Sequence, residues 1–290
     1  MARILGVGIA TLDIINTVAD FPVEDREVRA TAQSRQRGGN ATNTLVVLSQ
    51  QGHEVTWAGT LADDAGSEFI RAELVRYGVD MDPVQRVPGG HVPTSYVTLN
   101  ARNGSRTIVH YRDLPEYDLA AFRAIDLGTF DWLHFEGRNV AQTRAMLADA
   151  RARAPQVPCS VELEKPRDDI AVLCEGADLL LYSRVYAQAN GAHEAAGFLR
   201  AVHAQWPVAE HVCSWGEQGA WAITPDGELH HAGAEKLATV VDTLGAGDTF
   251  NAGLIHARLS GLGLDDCLRT ACRLAGQKCA QQGLDGLVLA

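Results

Sequence analysis

The chain has 290 residues, of which 46% are hydrophobic and 21% charged, and its formal net charge is −11. Such a length and composition suit a globular enzyme with one large buried core. A surface this acidic repels phosphate backbones, which argues against nucleic acid and anionic membranes as partners. No apolar run reaches the roughly 18 residues that a membrane-crossing helix needs.

The first apolar stretch, Ile4 to Leu12, is broken by Gly6 and Gly8 and ends at Asp13. A single Arg precedes it and no small-residue cleavage pattern follows, so it reads as a buried first strand, Arg3–Val7, rather than a signal peptide. Asn40–Gln51 reads as a helix, with Asn40 as N-cap and Gly52 as its stop. A strand over Val55–Gly59 leads to a helix over Asp64–Tyr77, capped by Asp64 and stopped by Gly78. Strands at Asp131–Phe135, Cys159–Glu162, Asp178–Tyr182 and His211–Ser214 follow, with helices at Val140–Ala152 and His193–Gln205 between them. Two further helices, Gly247–Ser260 and Leu264–Gln281, close the chain. This alternation predicts an α/β fold, a mainly parallel central sheet with helices on both faces in three layers, and loops at the strand C-termini facing a ligand.

Two regions break the alternation. Ile14 to Arg37 is strand-like with polar interruptions, and Thr94–Leu99 and Arg106–Tyr111 flank a segment containing Asn103-Gly104, a hairpin pattern. Together, at about 14–37 and 90–112, they predict a small β lid inserted into a single domain spanning 1–290. The cysteines at 159, 174, 213, 267, 272 and 279 show neither a CxxC pair nor zinc spacing. They read as buried reduced thiols, which predicts a cytoplasmic location.

The stretch that carries chemistry runs from Val240 to Gly253: an apolar strand end, then Gly245-Ala246-Gly247, then Asp248 and a helix. Three small residues let the backbone approach a ligand, and their N–H groups, with the helix dipole behind them, form an anion hole. Such a cradle stabilises a phosphoryl group in flight, and Asp248 at its rim can take the proton of an attacking hydroxyl. The competing reading is a glycine turn with Asp248 as a plain helix cap. A second constellation is Arg37-Gly38-Gly39-Asn40-Ala41-Thr42-Asn43. The carboxamides of Asn40 and Asn43 share the first helical turn and suit neighbouring sugar hydroxyls; alone, they read equally as an N-cap and an exposed side chain. Asp13 reads as a carboxylate at the edge of the cleft. Gly6-Val7-Gly8 lacks the third glycine of a dinucleotide fingerprint, and no Walker A sequence is present.

The run Asp242-Thr243 through Gly253 resembles the C-terminal motif of the ribokinase-like (pfkB) carbohydrate kinases, and Gly38-Gly39-Asn40 resembles their N-terminal sugar-binding motif. Further blocks resemble the ketohexokinase branch in the same order: Asn103–Val109, Phe135–Asn139, Val161–Arg167, Ala275–Cys279 and Gln282–Val288. The resemblance implies an ATP-dependent kinase of a ketohexose such as fructose, acting at the 1-hydroxyl. It implies Asp248 as base, Gly245, Ala246 and Gly247 as anion hole, and Asp13, Gly39, Asn40 and Asn43 on the sugar. Arg106 would reach both sugar and phosphate, its planar fork suiting phosphate oxygens. Trp215, Glu217 and Gly219 would line the nucleotide side, with Cys272 near the adenine. It further implies Mg²⁺, potassium near the anion hole, and a homodimer paired through the lids in which Asp25 reaches the partner's sugar. The family's Asn-x-x-Glu element is replaced here by Ser183-Arg184-Val185-Tyr186, which leaves the Mg²⁺ ligands unassigned. Glu136, Arg138 and Lys165 read either as site groups or as a structural ion-pair network, Trp215 as ligand-facing or as core, and His230-His231 as surface.

Overall fold

The computed structural model describes residues 1–289. In chain order, β1 (Arg3–Val7), β2 (Thr11–Val18) and β3 (Ala32–Gly38) precede α1 (Asn40–Gln50), and β4 (Glu54–Ala58) and β5 (Thr60–Ala62) precede α2 (Ala65–Arg76). β6 (Gln85–Val87), β7 (Thr94–Asn100), β8 (Arg106–Tyr111) and the short α3 (Leu119–Phe122) follow. Next come β9 (Trp132–Glu136), α4 (Val140–Arg153), β10 (Cys159–Leu163), β11 (Leu179–Tyr182), α5 (Arg184–Ala189), α6 (Ala195–Gln205) and β12 (Glu210–Ser214). The antiparallel β13 (Ala220–Ile223) and β14 (Leu229–Ala232) lead to α7 (Ala246–Leu259) and α8 (Leu264–Cys279).

The main sheet has the order β14-β13-β12-β11-β10-β9-β1-β4, and its strands from β12 to β4 are all parallel. Helices cover both faces, as the alternating sequence implies. One core gathers Phe122, Met146, Leu147, Tyr186 and Phe198 from α3 to α6, and the other gathers Leu45, Leu48, Ile70, Leu254 and Leu274 from α1, α2, α7 and α8. β9 and β10 are buried along their whole length, as strands sandwiched between two helical layers must be. Gly6 and Gly8 serve this packing and not a cofactor: a Cβ on Gly6 would strike Leu45, and one on Gly8 would strike Ala41 and Glu136.

A second sheet, in the order β3-β2-β7-β8, stands apart from the first. Its β7–β8 hairpin turns through Asn100–Ser105, where Asn103 Oδ1 accepts the Ser105 N–H at 3.0 Å and Gly104 adopts φ 70°. Asp13 therefore belongs to β2 of this sheet, not to the end of β1 as its sequence position suggested. Two further boundaries move. The N-cap of α1 is Gly39, at φ 108°, and Asn40 is the first helical residue. The chain just before Gly245 is not a strand: Val240 and Val241 are exposed and without regular structure.

Among the described residues no helix is long and apolar enough to cross a membrane. All six cysteines are free thiols, and only Cys279 is less than fully buried. Burial pushes the Cys159 and Cys213 thiols up to about 12, so thiolate is scarce. Iodoacetamide at neutral pH is therefore expected to modify Cys279 first and leave the other five untouched until denaturant is added; mass spectrometry of the alkylated protein reads this directly.

Candidate active site

The site is assembled where the C-terminal ends of β9 and β10 meet the N-termini of α1 and α7. Glu136 ends β9, and Glu162, one residue before the end of β10, lies in register beside it. Each is buried, and burial raises both carboxyls above the ordinary carboxylate range; for Glu162 the carboxylate of Asp248 adds to the rise. Amide donors hold Glu162 in place: Asn251 Nδ2 reaches Oε1 at 3.0 Å, and Asn40 Nδ2 reaches Oε2 at 3.1 Å. The same Asn40 amide donates to Glu164 Oε2 at 3.0 Å, and Lys165 pairs with the other oxygen of Glu164 at 3.2 Å. Glu136 accepts the Ile9 N–H at 3.0 Å and lies 3.6 Å from Arg138, which in turn meets Glu116 at 3.0 Å. Arg138 thus sits in an ion-pair network with Glu136, while Lys165 belongs to the Asn40 side of the site.

Asp248 stands in the first turn of α7 and is 6% exposed. Asn43 Nδ2 donates to its Oδ2 at 2.7 Å, and Thr44 Oγ1 reaches its carbonyl at 3.3 Å. The two glycine-bearing motifs, far apart in sequence, therefore meet through one hydrogen bond. Burial, with smaller contributions from Glu164 and Glu136, pushes the Asp248 carboxyl up to about 7; the Asn43 bond and the Arg37 charge limit the rise. Arg37 is half-buried, donates to Thr42 Oγ1 at 2.7 Å, and is lowered to about 10 by desolvation. The buried atoms Arg37 Nε and Asn43 Oδ1 have no partner among the described residues, so both remain able to bond a ligand.

Gly245 adopts φ 81° just ahead of α7, and a Cβ there would come within 3.8 Å of both Asp248 Oδ2 and Asn43 Nδ2. A Cβ on Gly247 would meet nothing within 4 Å. The Ala246 N–H donates to the Thr243 carbonyl at 3.2 Å, so among these residues the glycines present the more open backbone. The helix begins here with unpaired amides and the positive end of its dipole.

In front of this turn lies a cleft of about 610 Å³, within the range of small-molecule sites. The small sheet lines one side with Asp13, Gln36, Ser95 and Arg106, and Val240–Leu244 lines the other. Asp13 also explains Gly38, where any Cβ would collide with the Asp13 carboxylate and Thr11. Gly39, Asn40, Asn43, Gly245 and Asp248 are brought together at the starts of α1 and α7, next to the Val240–Leu244 segment that faces Asp13 and Arg106 across the cleft. Asp25 is not among them: it is exposed, at φ 59°, in the connection between β2 and β3. Gly219 and Cys272 converge elsewhere, on the Ala232 carbonyl: Cys272 Sγ lies 3.8 Å from it, and a Cβ on Gly219 would overlap it. Trp215 is buried in the core beside them and its N–H donates to the Gly219 carbonyl at 2.7 Å; Glu217 is exposed and pairs with Arg184 at 3.2 Å. Of the His230-His231 pair, read as surface, only His231 is exposed; the His230 side chain is 16% exposed and pairs with Asp265 at 2.8 Å. The sequence reading gave no role to Glu162, although its place at a strand end, opposite Glu136, marks it.

The family model described as pfkB family carbohydrate kinase matches residues 1–288. The chain belongs to the pfkB family of carbohydrate kinases. It is accordingly a phosphotransferase with an alcohol group as acceptor. Ketohexokinase of Mus musculus is 40% identical to it, with 99% of each chain covered. Among solved structures, the ribokinase of Arabidopsis thaliana complexed with ribose and ATP matches with a TM-score of 0.82 at 20% identity, over 97% of this chain and 94% of that one. The ribokinase of Cryptococcus neoformans var. grubii in complex with ADP matches with a TM-score of 0.79 at 20% identity, over 99% of both. These two likenesses concern the fold.

Proposed function

We propose that this pfkB-family kinase transfers the γ-phosphoryl group of ATP to the 1-hydroxyl of a ketohexose, fructose foremost. The observation that supports this most is the 40% identity to a ketohexokinase along 99% of the chain. The site chemistry is consistent with it. Asp13, Asn40 and Asn43 offer the mixed donors and acceptors that sugar hydroxyls need, and Asp248, raised to about 7, is matched as a proton acceptor to neutral pH. In the reaction the sugar oxygen bonds to the γ-phosphorus as the bond to the ADP oxygen breaks, and Asp248 receives the hydroxyl proton. The amides at the start of α7 and the Arg106 guanidinium face the charge that develops on the phosphoryl oxygens. Trp215, Glu217, Gly219 and Cys272 are assigned to the nucleotide side.

Mg²⁺ fits as a companion of the nucleotide rather than as a caged ion. The oxygens of Glu162 are taken by two amides, and Glu164 is held by Asn40 and Lys165. A Mg²⁺ bound through water and ATP phosphates suits its reluctance to dehydrate; its chemistry is to neutralise phosphate charge. The outer strand of the small sheet, β8, is exposed along its length, and on the face away from the cleft it displays Val109 and Tyr111 beside Tyr96 of β7. An uncovered edge and apolar face of this kind favour pairing with a second copy, and we assign the lid-to-lid homodimer and the Asp25 contact to it.

The test is ADP release from MgATP with a panel of sugars, with the phosphate position read by phosphorus NMR. Fructose 1-phosphate is the expected product. Turnover of another sugar only, or a 6-phosphate, would move the assignment to a different kinase of the same family. Binding of sugar and ATP by folded protein with no ADP release would leave a sensor of the same fold.

A further inference from the structure

Lys278 is the one lysine that the fold buries completely, at 0% exposure. It lies in the last turn of α8, and its ammonium donates to Asp242 Oδ2 at 2.8 Å, to the Asp242 carbonyl at 3.0 Å and to the Gln281 carbonyl at 3.4 Å. Its three donors are thus fully used. Removing an ammonium from water is expensive unless the partners are well placed, so a lysine kept here invites the question of what it holds. It holds the segment before the anion hole. The other oxygen of Asp242 accepts the Leu244 N–H at 2.9 Å, and the Val241 N–H is fixed on the Cys279 carbonyl at 2.8 Å. Asp242, Thr243 and Leu244 line the cleft and carry no regular secondary structure of their own. Gly245, at φ 81°, follows at once.

We propose that Lys278 is a positioning residue for phosphoryl transfer. Through Asp242 it fixes Leu244 and hence the direction of the backbone amides at Gly245–Gly247, and it neutralises a carboxylate that would otherwise face the incoming phosphates. The proposal rests on the kinase reading of the site and adds a residue that touches neither substrate. A displacement of the amides by about 1 Å is enough to cost about 100-fold in rate.

Lys278→Met keeps the length and the burial of the side chain and removes the charge. The expected result is a kcat about 100-fold below the parent with the sugar KM within about threefold. Hydrogen exchange of residues 241–246 is expected to be at least about tenfold faster, with β9 and β10 unchanged. A kcat within about twofold of the parent, or exchange that rises evenly over the whole chain, overturns the proposal. Should Lys278→Met fail to fold, the neutral pair Lys278→Met with Asp242→Asn is read by the same two measurements, and parent-like turnover with a protected 241–246 segment overturns it. A parent protein that turns over no sugar would instead refute the sugar kinase reading, and the exchange experiment would still decide the role of Lys278.

Discussion

Replacing Asp248 by Asn leaves a folded protein whose kcat falls by about 10²–10⁴-fold, the range expected when a positioned base is removed. The side chain is nearly isosteric, and the Asn amide oxygen can still accept from Asn43 at the position where Asp248 Oδ2 does so at 2.7 Å. Steady-state turnover alongside a circular dichroism melt separates lost chemistry from lost structure; near-parental turnover would remove Asp248 from the reaction. The parent's pH profile supplies an independent check. Asp248 must be ionised to accept a proton, and burial has pushed it from 3.8 up to about 7. Activity should therefore fall on the acid side, about tenfold per pH unit once below 7. The sign for stability is the opposite. Between roughly pH 4 and 7 the native carboxyl holds a proton that the unfolded chain has released. Its contribution is present below the unfolded value and lost as pH rises through the native one. Asp248→Asn, which never ionises, should melt at a higher temperature than the parent at pH 8, with the gap closing towards pH 4.5.

Gly39→Ala should cost about 3 kcal/mol or more in stability and abolish measurable sugar phosphorylation. Gly39 holds φ 108° at the N-cap of α1, a conformation closed to an L side chain, and a Cβ there would overlap the Ile9 carbonyl oxygen and press on Ala10. Neither is the end of a flexible side chain, so relief requires moving β2 or α1, and Asn40 and Asn43 move with the helix. Gly52→Ala is the control. It also sits at positive φ, 84°, but its Cβ would meet nothing within 4 Å, so it should cost only the 1–2 kcal/mol of left-handed strain. Thermal midpoints of the two variants give the comparison; equal losses would show that backbone strain alone sets the penalty.

Glycine chemistry was the most legible part of the sequence because it is local. Gly39 and Gly245, a residue ahead of a helix with polar side chains behind it, announce close backbone approach whatever surrounds them. The Asn103-Gly104 turn and the Asp64 cap, whose Oδ1 takes the Ser67 N–H at 2.8 Å, are local in the same sense. The α/β layering followed from periodicity. What escaped notice depends on partners distant in the chain. Val240 and Val241 looked like a strand end because they are β-branched, yet no strand of the sheet lies beside them, and they line the cleft instead. Glu162 has no role in the sequence pattern beyond the end of a predicted strand; only the register of β9 and β10 shows it beside Glu136. Lys278 has no role in the sequence pattern, and only its bonds to Asp242 in the folded chain set it behind the loop. Asp13 lines the cleft from β2 of the small sheet and not from the end of β1, a placement that depends on strand pairing across the chain.

The hydrogen bond between Asn43 and Asp248 joins residues 205 positions apart, and this constrains the order of events on the ribosome. α1 is among the first helices made, and its residues Ala41 to Leu48 are all buried in the finished fold. Its polar tip waits for α7 and its far end for the last turn of chain, where Gln50 Nε2 donates to the Leu284 carbonyl at 2.8 Å. A nascent chain can thus cover α1 with the nearby β1 and β4 early, while the side that packs on α7 stays open until α7 is made. Asn43 and Asp248 meet only once the 205 residues of separation between them have been made, so no shorter stretch of nascent chain holds the pair.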